Sequence, residues 1–240
     1  MNFKDYKVDI PAGKRGEWEI LKIKISNHEA HAFNLKKVIN GRPERSILPG
    51  TYTQLRRSGG IVMTDTPAEI IDLQEIISRA KGKILINGLG LGVVLNPILA
   101  NHLVTNVVVI EISQDLIDLV GRYYLQKYSP RLKIIYSDAL TYSLHKNDRY
   151  NLVWHDIWDT ISIDNYSEMK LLHKKYGKRC DWQESWCRSF VKKMIREEKK
   201  YGSMGATRKH WRNSEKRIEK LLGIDFSEVK KELAILNSTG

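Results

Sequence analysis

Hydrophobic positions follow two different patterns between residues 82 and 158. Short apolar runs alternate with segments in which apolar residues recur every three or four positions. Runs of the first kind are typical of buried parallel strands, and the spaced segments are typical of amphipathic helices. The predicted strands are KILIN, VTNVVVIE, RLKIIYSD and YNLVWHDIW, and the predicted helices between them are GVVLNPILA, SQDLIDLVGRYYLQKY and ALTYSLH. This alternation predicts an α/β domain whose parallel sheet is covered on both faces.

The chain before this domain has a different pattern. WEILKIKIS alternates loosely, and TYTQLRR and IVMT flank a glycine turn, so residues 1–65 are predicted to be a small β-rich segment. Thr66, Pro67 and Glu69 then form a helix-start signal, with Glu69 as the capping-box glutamate. That helix is predicted to run to about Ala80.

The chain after the fourth strand is predicted to be helical and basic. Helices are expected behind Asp164 and behind Asp181, where Glu184 completes a second capping box. Two further helices are expected in NSEKRIEKLLG and FSEVKKELAIL. The predicted organisation is therefore a β-rich segment at 1–65, an α/β domain at 66–160 and a basic helical region at 161–240.

An aromatic stripe lies in the second of these predicted helices. If the segment is helical, one face carries Trp182, Trp186, Phe190 and Met194. Such a stripe either packs on the sheet or forms a stacking surface for single-stranded nucleic acid. Packing on the sheet is the interpretation we favour.

Three glycines follow the first strand of the α/β domain, in the stretch KILINGLGLGVVLN. Gly88, Gly90 and Gly92 lie between a buried strand and a helix, where a ligand can approach the backbone and the positive helix end. A nicotinamide site requires a glycine at position 93, where this chain has Val93, and no Walker lysine follows. Residues 84–100 barely reach the minimum length of a membrane span and include two asparagines, a proline and the three glycines, so a span is the weakest interpretation.

The spacing G-x-G-x-G resembles the first motif of class I S-adenosylmethionine-dependent methyltransferases. Three acidic residues fall in register with that family, each at the carboxyl end of a predicted strand, where α/β sheets bind ligands. The resemblance implies that Glu111 binds the ribose hydroxyls, and that Asp138 with the adjoining Ala139 binds the adenine. It also places Asp156 at the start of the reaction-centre motif. The expected fold is therefore a Rossmann-like methyltransferase sheet, and the expected cofactor is S-adenosylmethionine.

The fourth-strand motif is most similar to that of spermidine synthases, whose D-x-x-D pair matches Asp156 and Asp159. This likeness covers roughly residues 61–160. Leu91 stands where those enzymes carry an amine-binding Asp, and a leucine cannot pair with an ammonium. We therefore expect methyl transfer to an unidentified acceptor, with Asp156 as base or acceptor-orienting group and with Asp159 and His155 as second choices. Aminopropyl transfer and cleavage of S-adenosylmethionine remain open as alternatives.

Charge is distributed unevenly along the chain, whose net charge is +12. Residues 167–223 hold 17 Lys and Arg against 7 Asp and Glu, whereas residues 58–160 hold 9 against 11. Such asymmetry indicates either a polyanion contact or solvated helix faces. The predicted phosphate contacts are Arg208, Lys209 and Arg212, which leaves a non-catalytic cofactor-binding or nucleic-acid-binding module as a further alternative.

Two cysteines, Cys180 and Cys187, provide neither a disulfide framework nor a metal site, so no metal is predicted. The N-terminal residues lack the apolar core of a signal peptide, and we expect a cytoplasmic protein without a membrane partner. The acceptor, small or macromolecular, and the oligomeric state are left open by the sequence.

Overall fold

The first element of the fold is a small antiparallel sheet. The computed structural model describes residues 6–40 and 42–202, together with Lys216 and Lys220. Four strands pair in chain order, and they are β1 Gly13–Arg15, β2 Trp18–Ile25, β3 Gly50–Arg57 and β4 Gly60–Thr64. Ser58 and Gly59 form the β3–β4 turn with φ of 47° and 85°, the left-handed backbone that tight hairpins need. The predicted hairpin is confirmed.

A helix within this region, α1 at Asn27–Ile39, is absent from the sequence-based prediction. It begins with a complete capping box. The Glu29 N–H donates to Ser26 Oγ at 3.2 Å, and the Ser26 N–H donates to the Glu29 carboxylate at 2.8 Å. Ser-x-x-Glu before an apolar series is the sequence signal that indicates this helix.

The second sheet is parallel and has five strands. These are β5 Gly82–Asn87, β6 Val104–Glu111, β7 Leu132–Tyr136, β8 Tyr150–His155 and β9 Cys180–Ser185. Their order across the sheet is β7-β6-β5-β8-β9, so the chain starts at the centre, winds to one edge and then returns to the other side. This is the doubly wound order of Rossmann-like folds, whose ligands bind where the winding direction changes. The predicted α/β fold class, a Rossmann-like parallel sheet with a small β-rich N-terminal segment, is confirmed, while most of the predicted basic helical C-terminal part lies outside the described residues.

Helices cover both faces of the parallel sheet. Residues alternate along β5 in the direction they face, so Ile84 and Ile86 belong to one hydrophobic cluster and Leu85 to the other. Burial on both faces explains why the strand sequences are continuously apolar. The helices are α2 Pro67–Asp72, α3 Gln74–Arg79, α4 Leu95–Ala100, α5 Gln114–Leu116, α6 Arg122–Tyr128 and α7 Asn165–Tyr176, followed by helical residues 188–202, here α8.

Three of the predicted helices differ from the structure in detail. The helix expected from residue 66 to 80 is interrupted at Leu73, between α2 and α3. The helix capped by Ser113 contains a π-helical turn at Ile117–Gly121. ALTYSLH forms turns and no helix, because the Asp138 carboxylate accepts the Leu140 N–H at 2.8 Å and closes a local turn.

The prediction of a helix directly behind Asp181 is wrong. Residues of β9 pair in parallel with β8, with Trp182 opposite Leu152 and Ser185 opposite His155. Pairing satisfies the backbone hydrogen-bonding groups along the edge of β8. This stabilisation outweighs the local preference of the sequence for a helix. Helix α8 begins only at residue 188, so the four aromatic and Met positions do not share one helix face.

The N-terminal sheet is fastened to the parallel sheet close to the end of β6. Trp18 Nε1 donates to Ser113 Oγ at 2.8 Å, and Arg15 pairs with Asp118 at 2.7 Å. Ser113 also caps α5 by accepting the Leu116 N–H. The first sheet therefore lies at the carboxyl edge of the second.

Two expectations fall on the C-terminal part of the chain. Arg208, Lys209 and Arg212 lie outside the described residues, as do the two last predicted helices apart from the helical Lys216 and Lys220. Within the part of the chain that the structure describes, no helix is long and apolar enough to cross a membrane.

Candidate active site

A cavity of about 270 Å³ lies at the carboxyl edge of the parallel sheet, below the N-terminal sheet. We call it the acidic cavity, because its wall is rich in carboxylates. The carboxylates are Glu69, Glu111, Asp138, Asp156, Asp159 and Glu168. Of the residues predicted to form the site, the cavity is lined by Gly88, Gly90, Glu111, Asp138, Ala139, Asp156 and Asp159.

The glycine loop forms one wall. Gly88 has φ of +95°, and a Cβ there would lie 1.9 Å from the Asp156 carbonyl oxygen. Gly90 has φ of +51° and faces the Met63 sulfur of β4. Gly92 does not line the cavity, since its absent side chain makes room for the Tyr124 ring, 2.3 Å from an ideal Cβ. Leu91 is fully buried in the core and also lies outside the cavity wall.

Glu111 connects the end of β6 to the glycine loop. One carboxylate oxygen accepts the Leu89 N–H and the other accepts the Ser113 N–H, each at 2.8 Å. Burial raises the pKa of Glu111, and the backbone hydrogen bonds oppose that rise. Backbone N–H groups of Leu89, Ser113 and Ile112 act on this carboxylate, and since an ionised carboxylate has about four acceptor positions, acceptor capacity remains for a ligand hydroxyl.

Asp138 and Ala139 lie just after β7. The Asp138 carboxylate is committed on one oxygen to the Leu140 N–H, and the Lys175 ammonium donates to the carbonyls of Ala139 and Leu140 at 2.9 and 3.2 Å. The turn is thus held from both sides. A fixed turn of this kind suits recognition of a flat ring edge by one carboxylate and neighbouring backbone groups.

Asp156 and Glu69 form the most perturbed pair in the cavity. Burial raises the pKa of Glu69 to about 8, with the charges of Asp156 and Asp72 adding to the rise. Burial also raises the pKa of Asp156 to about 7, a hydrogen bond from Trp154 opposes the rise, and the Asp72 charge adds to it. Two carboxyls with pKa values near neutrality can hold and exchange a proton at physiological pH.

Glu69 is the carboxyl with the highest pKa in the site, and it was not among the predicted site residues. Its position behind Thr66 and Pro67 indicates a capping role, yet the Thr66 side chain makes no capping hydrogen bond. Glu69 lines the acidic cavity instead. The sequence signal that could have found it is an acidic residue in the first turn of the helix that precedes the glycine-loop strand.

Asp159 and His155, the second choices for the base, have other environments. Asp159 pairs with Arg57 at 3.1 Å, and Arg57 also pairs with Glu17 at 2.8 Å, all at the exposed rim. His155 is fully buried, with its ring nitrogens 2.7 Å from Asn87 Nδ2 and 3.2 Å from Gln183 Oε1. Burial lowers the pKa of His155 to about 3, so the ring is neutral and lies outside the cavity wall.

Aromatic and sulfur side chains supply the apolar walls. Trp158 and Trp186 face the cavity, and Trp158 Nε1 donates to the Glu168 carboxylate at 2.6 Å. Trp18 and Met63 close the cavity from the N-terminal sheet. Trp154, two residues before Asp156, does not line this cavity and packs within the larger hydrophobic cluster.

The charge of the cavity contrasts with that of the whole chain. Six carboxylates line it, and Arg57 is the one Lys or Arg among its described lining residues, whereas the chain carries a net charge of +12. Glu69 and Asp156 are partly protonated at neutral pH and Asp159 pairs with Arg57, yet carboxylates still outnumber cations in the wall. The cavity therefore disfavours phosphate groups and favours a cation that carries hydroxyl and amino donors. S-adenosylmethionine, with a sulfonium, an ammonium, a ribose and an adenine amino group, has this chemistry.

Comparisons with known proteins add the following. The sequence matches no protein-family model and no curated protein. Similar solved structures include a dimethyladenosine transferase from Plasmodium falciparum, with 23% identity, a TM-score of 0.34 and coverage of 44% of this chain and 36% of that one. An S-adenosylmethionine-dependent methyltransferase from Clostridium acetobutylicum is 14% identical, with a TM-score of 0.35 and coverage of 46% and 43%. The CcbJ methyltransferase from Streptomyces caelestis is 16% identical, with a TM-score of 0.36 and the same coverage. The chain spans less than half the length of each of these structures, so its own site residues carry the argument for function.

The pair Asp156 and Glu69 makes stability depend on pH. Their folded-state pKa values, about 7 and 8, lie above those of unfolded carboxyls, so their stabilising contribution is complete below about pH 4 and is lost as pH rises through 7 and 8. We expect the free energy of unfolding to fall by about 2 kcal/mol between pH 5.5 and 8, allowing for partial exposure of both side chains. Urea unfolding across this range measures it.

The double variant Asp156→Asn, Glu69→Gln carries neutral groups of the same shape. Its free energy of unfolding should therefore be nearly independent of pH between about 5.5 and 8. Asp9→Asn, an exposed substitution outside the cavity, should keep the slope of the parent protein. The lowered pKa values of His155 and His173, about 3 and 4, affect stability only below about pH 6.5, where folding opposes protonation of the rings. An unchanged slope in the double variant would contradict the assignment.

Proposed function

We propose that the protein is an S-adenosylmethionine-dependent methyltransferase whose cofactor binds in the acidic cavity. The observation that carries this proposal is the acidity of the cavity in a basic chain, at the point where the sheet changes its winding direction. The residues that line the cavity fit the cofactor. Glu111 keeps acceptor capacity for a ribose hydroxyl, Asp138 and the Ala139 turn suit the adenine edge, and Gly88 and Gly90 line the cavity.

The chemistry assigned to the chain follows from its own groups. S-adenosylmethionine would supply an electrophilic methyl group on a sulfonium centre. Asp156, with a pKa of about 7, accepts a proton from the acceptor atom, and Glu69, with a pKa of about 8, is mostly protonated at neutral pH and adds little negative charge beside it. Trp158 and Trp186 exclude water from the apolar side, which strengthens these electrostatic interactions.

Aminopropyl transfer receives less support from the site. The position at which spermidine synthases carry an amine-binding Asp is Leu91, and this side chain is buried outside the cavity. Cleavage of the cofactor is separated from methyl transfer by its products. Mass spectrometry after incubation with S-adenosylmethionine and a set of acceptors should detect S-adenosylhomocysteine. Methylthioadenosine without S-adenosylhomocysteine would overturn methyl transfer while leaving the cofactor assignment intact.

Calorimetric titration tests the cofactor directly. We expect micromolar binding of S-adenosylmethionine and no binding of NADH, because carboxylates around the cavity repel a pyrophosphate. Asp138→Ala should weaken S-adenosylmethionine binding about 10-fold or more, as expected when a hydrogen bond to a charged group is lost. Asp9→Ala, which removes an exposed carboxylate outside the cavity, should leave the dissociation constant unchanged. Tight NADH binding, or equal effects of the two substitutions, would contradict the proposal.

A further inference from the structure

A concave pocket of about 560 Å³ lies at the amino edge of the parallel sheet, at the opposite end of the strands from the acidic cavity. We call it the basic pocket. Its described wall consists of Lys146, Asn147, Arg149, Lys178 and Arg179. The first three precede β8 and the last two precede β9, so the pocket is formed by two neighbouring loops. Four of these five residues are cationic, and none is acidic.

The two loops hold one another through their arginines. Arg179 Nη1 donates to the Lys146 carbonyl, and Arg149 Nη1 donates to the Lys178 carbonyl at 3.3 Å. The Tyr150 N–H also donates to the Arg179 carbonyl at 2.8 Å, which joins the β8 side to the same loop. Each guanidinium is therefore fixed by the facing loop before a ligand binds, which lowers the entropy cost of binding.

Carboxylates near the pocket offset little of this charge. Asp181 lies outside the wall, 3.7 Å from Arg149 Nη2, and its other oxygen accepts the Asn151 amide at 2.9 Å. The Arg149 and Asp181 side chains are 66% and 56% exposed, and an ion pair so exposed is weak. Asp148 faces Lys83 at 3.8 Å, also outside the wall.

The ammonium groups of Lys146 and Lys178 add charge that no described carboxylate offsets. Both residues are exposed, and neither ammonium forms an ion pair with a residue that the structure describes. Like charges held in one concave wall repel each other and attract anions. Guanidinium and ammonium groups together match the oxygens of phosphate groups, and four cations match a ligand with several of them.

The composition of the wall distinguishes between kinds of polyanion. Among its described residues there is no apolar side chain, which a helix bound at a membrane surface places beside its cations. There is also no aromatic side chain on which a nucleic-acid base could stack. The wall therefore suits contact with a phosphate backbone, without recognition of bases.

We propose that the basic pocket binds the phosphate backbone of a single-stranded nucleic acid, independently of its sequence. A flexible strand can follow a concave wall, and a rigid duplex cannot. The length of β8 separates the pocket from Asp156 by about 20 Å. The pocket is thus an anchoring surface that takes no part in chemistry, and the inference does not depend on the proposed function.

Fluorescence anisotropy of the full chain with labelled single-stranded oligonucleotides of about 12 nucleotides provides the test. RNA and DNA of mixed sequence should bind with similar affinity, and the logarithm of the binding constant should fall linearly with the logarithm of the salt concentration. Arg208, Lys209 and Arg212 are separate predicted phosphate contacts in the full chain. The change in slope between variants, rather than the total slope, therefore measures the contribution of the basic pocket.

The double variant Lys146→Gln, Lys178→Gln removes two cations from the wall. At about 0.1 M salt it should bind the oligonucleotides about 10- to 30-fold more weakly, and its slope should be smaller by about 1.4, which is about 0.7 for each lost phosphate contact. The matched control is Lys14→Gln, Lys24→Gln, which removes the same charge from exposed positions of the N-terminal sheet. Its affinity and slope should equal those of the parent protein.

The outcomes separate the pocket from attraction by net charge and from membrane binding. Equal losses in the two double variants, or no binding of oligonucleotides by the parent protein, would overturn the proposal. Flotation with vesicles of phosphatidylserine and phosphatidylcholine is the membrane arm, and vesicle binding that requires Lys146 and Lys178 would also overturn it. S-adenosylmethionine should bind Lys146→Gln, Lys178→Gln with an unchanged dissociation constant. Oligonucleotide binding that depends on the two lysines, without any S-adenosylmethionine binding, would remove the proposed function while establishing the basic pocket.

Discussion

Gly88→Ala is expected to lower the free energy of unfolding by about 3–6 kcal/mol, which is comparable with the whole stability of many domains. Two causes add. The backbone at Gly88 has φ of +95°, which a residue with a Cβ adopts only under strain. The new methyl carbon would also lie 1.9 Å from the Asp156 carbonyl oxygen and 2.7 Å from its carbonyl carbon. That backbone cannot retreat easily, because the Asp156 N–H donates to the Asn87 carbonyl at 2.8 Å at the end of the β5–β8 pairing.

Gly59→Ala is the matched control. Its φ of +85° imposes a similar backbone strain, but nothing lies within 4 Å of the added carbon at the tip of the β3–β4 turn. We expect a loss of about 1–2 kcal/mol from strain alone. Chemical denaturation of both variants measures the difference between the two losses of stability. That difference is the cost of the contact with the Asp156 carbonyl. Equal losses at the two positions would show that the close approach of the glycine loop to Asp156 is not a constraint.

Glu111→Gln is expected to weaken S-adenosylmethionine binding about 10- to 100-fold, the range for lost hydrogen bonds to a charged group. The carboxylate accepts one backbone N–H on each oxygen and keeps acceptor positions for the cavity. An amide of the same shape must turn its NH₂ group toward one of these N–H donors. It therefore loses a bond to the glycine loop or to Ser113, and it offers the ribose fewer acceptors. Isothermal titration calorimetry measures the change.

Asp9→Asn provides the control for net charge, since it also removes one negative charge but lies on the surface outside the cavity. Its dissociation constant should equal that of the parent protein. Thermal unfolding of Glu111→Gln shows whether the loss of affinity arises in a folded protein. A folded Glu111→Gln protein that binds within threefold of the parent would remove Glu111 from the proposed cofactor site.

The parts of the site that lie at strand ends were predictable, because topology alone brings them together. Glu111, Asp138 and Asp156 each end a strand whose apolar pattern is unambiguous, and parallel strands place their carboxyl ends at one edge. All three line the acidic cavity. The glycine loop was predictable only in part, because Gly92 meets the same left-handed backbone requirement as its neighbours but makes room for Tyr124.

The parts that were missed depend on contacts between residues distant in sequence. Strand β9 is short and polar, and it forms because β8 offers an unpaired edge, which no local pattern records. Glu69 carries a signal for a helix start, and its place in the cavity depends on the position of α2 against the glycine loop. Arg45 and Arg188 are 143 positions apart in sequence, and they line one second cavity only in the folded chain.

The acidic cavity is built from both sheets, since Trp18, Arg57, Val62 and Met63 of the N-terminal sheet face the strand ends of the parallel sheet. A molecule held there touches both units, and its full binding free energy is available only when both are folded and in contact. The two sheets already share one hydrophobic cluster, in which Ile20 and Leu55 are buried together with Ile84 and Ile86, so occupancy adds to a coupling that the core and the Trp18–Ser113 hydrogen bond provide. In saturating ligand the two sheets should lose their structure in one cooperative transition, whatever their separate stabilities in its absence.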